Sequence, residues 1–303
     1  MFDIIGDIHG HAGELVRLLE HLDYTKDGSG YRHPKRTVLF VGDFIDHGPH
    51  ITEVLRIVRA MVDSGAAQAV MGNHEFNAIA YHTPDGAGSY LRPHSEKNNK
   101  QHSETMKQLS EAELQDALEW FRMLPMWLDL DSVRLVHACW SANDIVTISA
   151  RRDGTSPLTE AFVKDATDHS SALFHAVDRV LKGTEMELPA GMSYRDKDGH
   201  ERTAIRTRWF DSPNGQDIAE YALPNVTEPT GVAARVDALP IDTYPTDAPP
   251  VFFGHYWLTG EPTPQTRNAA CVDYSVARGG KLVAYRWNGE RGLSTSGFVT
   301  AAG

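Results

Sequence analysis

Cysteine is nearly absent: the 303-residue chain has two, Cys139 and Cys271. They are too few and too far apart for the disulfide framework of a small secreted fold, so each is expected as a small buried apolar residue rather than a ligand or nucleophile. No apolar run approaches the ~20 residues needed to cross a bilayer. The opening Met1-Phe2-Asp3-Ile4-Ile5 lacks the basic stretch of a secretory leader. A cytoplasmic location with no membrane partner is therefore expected. Positive charge is also short, with 29 lysines and arginines against 41 aspartates and glutamates and a net charge of −12. That balance is the reverse of a nucleic-acid binder's. There is no internal repeat and no low-complexity tract. With 41% hydrophobic and 23% charged residues the chain can bury a sizeable core, which excludes wholesale disorder.

Within that ordinary composition the first third alternates cleanly. Phe2–Ile5, Thr37–Val41 and Ala67–Met71 are short β-type runs. Between them lie helical stripes, Leu15, Leu18, Leu19 and Leu22, then Val54, Leu55, Val58 and Met61. This β-α-β-α-β order predicts an α/β fold. Residues 82–104, rich in Gly, Asn, Ser, His and Lys, are expected as an exposed loop. Ser110 with Glu113 forms a capping-box pattern that opens a helix running to about Arg122. Trp127–Leu130 and Val133–Val136 read as a hairpin around Asp131-Ser132, and 171–182 as a helix. Val251–Phe253, Cys271-Val272 and Lys281–Trp287 read as strands returning to the core. We expect one domain over 1–303, with a loop and helical insertion at about 82–125 and an elaborated region at about 141–250.

Each of the first three strands ends in glycine plus a polar residue, where open α/β sheets bind ligands. The segments are Gly6-Asp7-Ile8-His9-Gly10, Gly42-Asp43-Phe44-Ile45-Asp46-His47-Gly48 and Gly72-Asn73-His74-Glu75. Val136-His137-Ala138 and Gly254-His255-Tyr256 follow apolar runs in the same way. Any one of these alone is ordinary turn chemistry. Together they place carboxylate, imidazole and amide oxygen at converging strand ends, a set suited to Mn, Fe or Zn rather than to a thiolate-preferring metal.

In order and spacing these motifs resemble the calcineurin-like metallophosphoesterases, in their phosphoprotein phosphatase branch. The closing Val272-Asp273-Tyr274-Ser275 through Gly279-Gly280-Lys281-Leu282-Val283-Ala284 resembles the end of the bacterial diadenosine tetraphosphate hydrolases of that branch. The resemblance implies a four-layer α/β/β/α sandwich and two divalent metal ions, Mn2+ foremost, with Fe, Zn, Co or Ni also accepted by such ligands. It implies that Asp7 and His9 hold one metal, that Asp43 bridges both, and that Asn73, His137 and His255 complete the second. His74 would donate a proton to the leaving oxygen, and Asp46 would orient it.

The chain departs from the pattern once. The second motif ends Asp46-His47-Gly48 where the family has Asp-Arg-Gly. That arginine grips the substrate phosphate, and imidazole replaces a planar fork poorly. The task could pass to His47 when protonated or to another arginine. Arg206 and Arg208 share a face if 202–209 is a strand, with Arg208 slightly favoured. The resemblance implies hydrolysis of phosphomonoesters, including phosphoserine and phosphothreonine proteins. The alternatives are symmetrical hydrolysis of diadenosine tetraphosphate, for which Tyr256, Trp257 and Trp209 are candidate base-stacking rings, and a metal-binding module weakened by His47. The expected partner is thus a phosphorylated small molecule, nucleotide or protein.

Overall fold

The strand Phe2–Ile5 takes its two partners from opposite ends of the chain. Thr37–Phe40 lies parallel on one side and Lys281–Trp287 antiparallel on the other. The computed structural model describes residues 1–152, 156–195, 200–213, 215–224, 235–236 and 243–301; the rest of the expected elaborated region 141–250 lies outside them. Ala67–Ala69 extends the sheet in parallel beyond Thr37–Phe40, while Asp273–Tyr274 and Phe298–Thr300 pair antiparallel with Lys281–Trp287, giving six strands. A second, four-stranded sheet runs Ala269–Cys271, Val251–Phe253, Arg134–Val136, Trp127–Asp129. Its last two strands form the expected hairpin, with Asp131 at the turn at φ 61°.

Alternation along these strands builds the layers. Ile4 and Leu39 of the first sheet meet Leu135, Phe252 and Ala270 of the second in a fully buried cluster between the sheets. Their neighbours Ile5, Val38 and Phe40, and on the other sheet Val136, Phe253 and Cys271, face outward into a core closed by helices. Helices Ala12–His21 and Ile51–Asp63 pack their predicted apolar stripes there, and helix Ala172–Lys182 buries Leu173, Val177, Val180 and Leu181 in the same core. This is the α/β/β/α sandwich. Both cysteines are free and buried, as expected. Among the described residues no helix is long and apolar enough to cross a membrane.

One expectation fails. The segment 82–104 is not simply an exposed loop, because Ser95 caps Asn98 N and opens the helix Glu96–Gln108. Its sequence has no apolar stripe. The face it buries is His102 and Thr105, so hydrophobic periodicity could not find it. Helix Glu111–Met123 follows, with the predicted Ser110–Glu113 capping box in place.

A buried ion group ties the central strands together. Fully buried Asp3 accepts from Arg36 Nε (2.7 Å), Arg286 Nε (3.2 Å) and Tyr24 OH (3.0 Å). Arg36 also donates to the carbonyls of Phe2 and Trp287. Removing the carboxylate leaves buried positive charge without its counterpart. Asp3→Ala is therefore expected to cost about 3–5 kcal/mol, read as a lower urea midpoint; a loss below about 1 kcal/mol would show that the group contributes little.

Candidate metal centre

All five motif segments leave strands of the two sheets at the same end, which brings their loops together. The loops are unusually strained. His9, Asp43, Asp46, His47, His255 and Trp257 all have positive φ, between 45° and 75°, a conformation costing a non-glycine residue on the order of 1–2 kcal/mol. The surrounding structure over-determines it. Glu75, wholly buried, accepts from Gly72 N (2.9 Å), Asp43 N (2.9 Å) and Phe44 N (2.8 Å), fastening the second motif to the third. Asp273 likewise accepts from Trp257 N and Ser275 N beside the His255 loop. Glycine is needed where backbone meets ligand atoms: a Cβ on Gly254 would lie 2.0 Å from Asp7 Oδ1, and one on Gly72 would lie 2.1 Å from Asp43 Oδ1.

Of three trios of candidate ligand atoms among the described residues, each within 4.8 Å, two share Asp43: Asp7, His9 and Asp43, then Asp43, His137 and His255; the third is His9, His47 and His74. His9 Nδ1–H donates to the Ile45 carbonyl and His137 Nδ1–H to the Val41 carbonyl, each at 2.8 Å. Those bonds turn the Nε2 atoms inward. His137 Nε2 stands 3.0 Å from Asn73 Oδ1 and 3.4 Å from Asp43 Oδ2, and His9 Nε2 stands 3.6 Å from Asp43 Oδ2. In their neutral form these are lone pairs facing oxygen lone pairs, an arrangement a cation between them relieves. Asn73 Oδ1 also lies 2.7 Å from His255 Nδ1.

The donor set fits divalent cations on two further counts. Of five buried side-chain polar atoms without a hydrogen-bond partner among the described residues, three are Asp7 Oδ1, His9 Nε2 and His255 Nε2. Electrostatics agree for Asp7, His9 and His255, whereas burial at His137 is outweighed by Asp43, which raises it. Burial, with Asp273 and Asp43 nearby, raises the Asp7 carboxyl well above its usual range, a shift that a neighbouring dication reverses. Burial and the His74 charge lower His9 to about 3, and burial and Arg206 hold His255 well below the usual imidazole value. Both are thus neutral, as ligands must be. Burial works against an ionised Asp43, but the surrounding imidazoles of His137, His74 and His9 outweigh it and hold its carboxyl well below the carboxylate range.

Beside the two trios that share Asp43, His74 Nδ1 is 2.6 Å from Asp46 Oδ2. Burial disfavours the imidazolium, yet the charges of Asp43 and Asp46 raise it to about 9. Asp46 has a further set of partners that motif reading missed. His102 Nδ1 (2.9 Å) and Thr105 Oγ1 (2.6 Å), both on helix Glu96–Gln108, bond its Oδ1, and Gln101 Nε2 lies 3.3 Å from His74 Nε2. The polarity of that helix was the available signal, since a helix with a buried His and Thr has something polar to meet.

The arginine candidates separate. Arg206 ends the strand Ala204–Arg206 and its charge reaches His255. Arg208 lies past the strand end, donates to the Gln265 carbonyl (3.3 Å), pairs with Asp211 (3.7 Å) and covers Phe210. The strand is too short for the two to share a face. His47 reaches solvent on one side and packs edge-on to His9, His74 and Trp257 on the other. Burial on that side and the His74 charge lower it to about 4. Of the expected stacking rings, Trp209 and Tyr256 are core, packed against Phe253, while Trp257 stands 5.5 Å from the His9 ring, with Arg278 4.7 Å above it.

The chain belongs to the calcineurin-like phosphoesterase family, whose model matches residues 1–198. Over 74 residues it is 49% identical to the asymmetrical bis(5'-nucleosyl)-tetraphosphatase PrpE of Halalkalibacterium halodurans, a match covering 24% of this chain and 30% of that protein. The chain thus spans under a third of the length of the first such relatives. It is 26% identical over 296 residues to the symmetrical bis(5'-nucleosyl)-tetraphosphatase of Cronobacter sakazakii, covering 94% of this chain and 90% of that one. In fold it is similar to a protein serine/threonine phosphatase from Saccharomyces cerevisiae with similarity to human phosphatase PP5. That match has a TM-score of 0.52 at 16% identity and covers 99% of this chain and 78% of that one.

Divalent ion added to chelator-stripped protein is expected to raise its stability, by about 2.7 kcal/mol at a hundred times the dissociation constant. Gly254→Ala, which drives a methyl into Asp7, is expected to lose that gain. Thermal melts with and without Mn2+ check this, and an equal rise in both proteins would place the ion elsewhere.

Proposed function

We propose that the chain is a divalent-metal-dependent phosphoesterase that hydrolyses phosphomonoesters, phosphoserine and phosphothreonine proteins among them. The observation that carries this reading is the pair of buried trios sharing Asp43, with three of their donor atoms unpartnered. Asp7, His9 and Asp43 would hold one cation, and Asp43, Asn73, His137 and His255 a second. Ions bound there would polarise a phosphoryl oxygen and acidify a water for in-line attack. The chain's own residues do the rest. Asp46 fixes the His74 ring through Nδ1, so that protonated Nε2 can deliver its proton to the departing oxygen. Arg206 supplies positive charge on the His255 side.

A second reading, hydrolysis of dinucleoside tetraphosphates, draws on the Cronobacter sakazakii relative that matches nearly the whole chain. A side-by-side rate on Mn2+-loaded protein separates the two: p-nitrophenyl phosphate is expected to be preferred, and a preference for diadenosine tetraphosphate would transfer the proposal to dinucleotides. With either substrate Asp43→Asn is expected to abolish turnover; wild-type rates in that variant would refute the site.

His74→Asn is expected to slow release of poor leaving groups by on the order of 10²–10⁴-fold, and release of p-nitrophenolate, which departs without a proton, far less. Comparing phosphoserine with p-nitrophenyl phosphate tests this, and an equal loss on both would remove His74 from the acid role.

A further inference from the structure

A cavity of about 420 Å³ lies beside the centre and includes none of the candidate ligands in its walls. Phe76 and Asn77, from the helix that carries His74, line one part of it, and Arg206, Lys182 and Phe174 line another. Arg92, from the insertion expected at about 82–125, lines it as well. The cavity is tied to the centre at two points. Arg206 acts on His255 through its charge, and Arg92 Nη2 donates to Gln101 Oε1 (2.8 Å), whose amide nitrogen meets His74 Nε2 (3.3 Å).

Arg92 differs from the other two cations. Lys182 is paired with Asp178, and Arg206 stands 3.8 Å from Glu185. Among the described residues no carboxylate lies within ion-pair distance of Arg92. It is half-buried and held by neutral acceptors, Asn77 Oδ1 (3.0 Å) and Gln101 Oε1, while its own N–H donates to the Ala80 carbonyl. Two amides and a backbone bond thus preset a desolvated guanidinium with no counter-charge, which an arriving anion would supply. Through Gln101, Arg92 reaches His74 Nε2, and the His74 ring lies 5.3 Å from that of His47. The position that lost its arginine and the arginine without a carboxylate partner therefore both adjoin His74.

We infer that Arg92 binds the substrate's phosphoryl oxygens in place of the arginine that His47 replaces, in an anion site whose cavity Arg206 also lines. This rests on the phosphoesterase reading for its role in turnover, but not for phosphate binding itself. A planar fork can hold two phosphoryl oxygens at once, which an imidazole cannot. The insertion then does two things: Gln101, His102 and Thr105 surround the Asp46–His74 pair, and Arg92 receives the group to be transferred.

The test uses the full-length, Mn2+-loaded protein and inorganic phosphate as the probe. Phosphate affinity by calorimetry and kcat and KM on p-nitrophenyl phosphate are measured for wild type, Arg92→Ala, Arg92→Lys, Arg278→Ala and the double variant His47→Arg/Arg92→Ala. Arg92→Ala is expected to weaken phosphate binding on the order of 10- to 100-fold, with KM rising in step. Arg92→Lys, which keeps the charge and most of the packing, recovers part of the loss and covers the case in which the alanine variant folds poorly. Rescue by His47→Arg would mark a lost anion contact, because a purely structural defect at Arg92 would not be repaired from position 47. Wild-type phosphate affinity in both Arg92 variants, or its loss in Arg278→Ala alone, would overturn the inference while a dead Asp43→Asn left the phosphoesterase reading standing. Conversely, a wild type that turns over nothing yet loses phosphate affinity on Arg92→Ala would sink that reading and keep the anion site.

Discussion

The site depends on keeping one carboxylate, that of Asp43, ionised in a place that water does not reach. Burial alone would protonate it. Its Oδ2 is faced by the Nε2 atoms of His137, His9 and His74 at 3.4, 3.6 and 3.9 Å, and its Oδ1 accepts from His74 N at 3.0 Å. Its own N–H is held by Glu75. Backbone and side chain are thus both fixed by the helix Asn73–His82. The same carboxylate belongs to two of the candidate trios, so a shift of the loop carrying it disturbs both together.

That constraint explains where polarity is allowed inside the fold. Glu75 is a second buried acid, bonded to the Asp43 amide and raised to about 7 by burial and by Asp43, with the backbone donors Phe44 and Asp43 working against the rise. Two buried carboxylates this close are tolerable because Glu75 accepts three backbone N–H bonds and Asp43 Oδ1 accepts from His74 N. The insertion extends the principle outward, with His102 and Thr105 satisfying Asp46 from a helix that has nothing apolar to offer the core. The parallel strands position the candidate ligands, while the added segment governs the surroundings of the Asp46–His74 pair.

Much of this was legible in the sequence because it is local. A strand followed by glycine and a polar residue announces both the element and the turn. The α/β class and the convergence of the candidate ligands could therefore be read from the residues, while the four layers followed from the family resemblance. The Glu96–Gln108 helix could not, since its buried face is polar and periodicity sees only apolar stripes. The sequence favours Arg208 slightly over Arg206 because it does not show that the strand stops at Arg206. Trp209 and Tyr256 were ambiguous for a different reason: an aromatic next to a strand end serves the core or the site according to which way one backbone turn points. Glu75 stood in a motif, yet its three N–H partners come from two loops that are neighbours only after folding.

The placement of Phe2–Ile5 in the interior of its sheet has a consequence for how the molecule is assembled. Phe2 pairs with Trp287, and Gly6 N donates to the Val283 carbonyl at 3.0 Å, directly before Asp7. The loop bearing Asp7 and His9 leaves the ribosome first, but its flank on that side is unsupported until residues near 287 have been made. Closing so long a loop is slow, and native contacts of this span form late. The candidate ligands Asp7 and His9 are therefore fixed on that flank only after residues near 287 have been made, although they precede the other candidates in the chain.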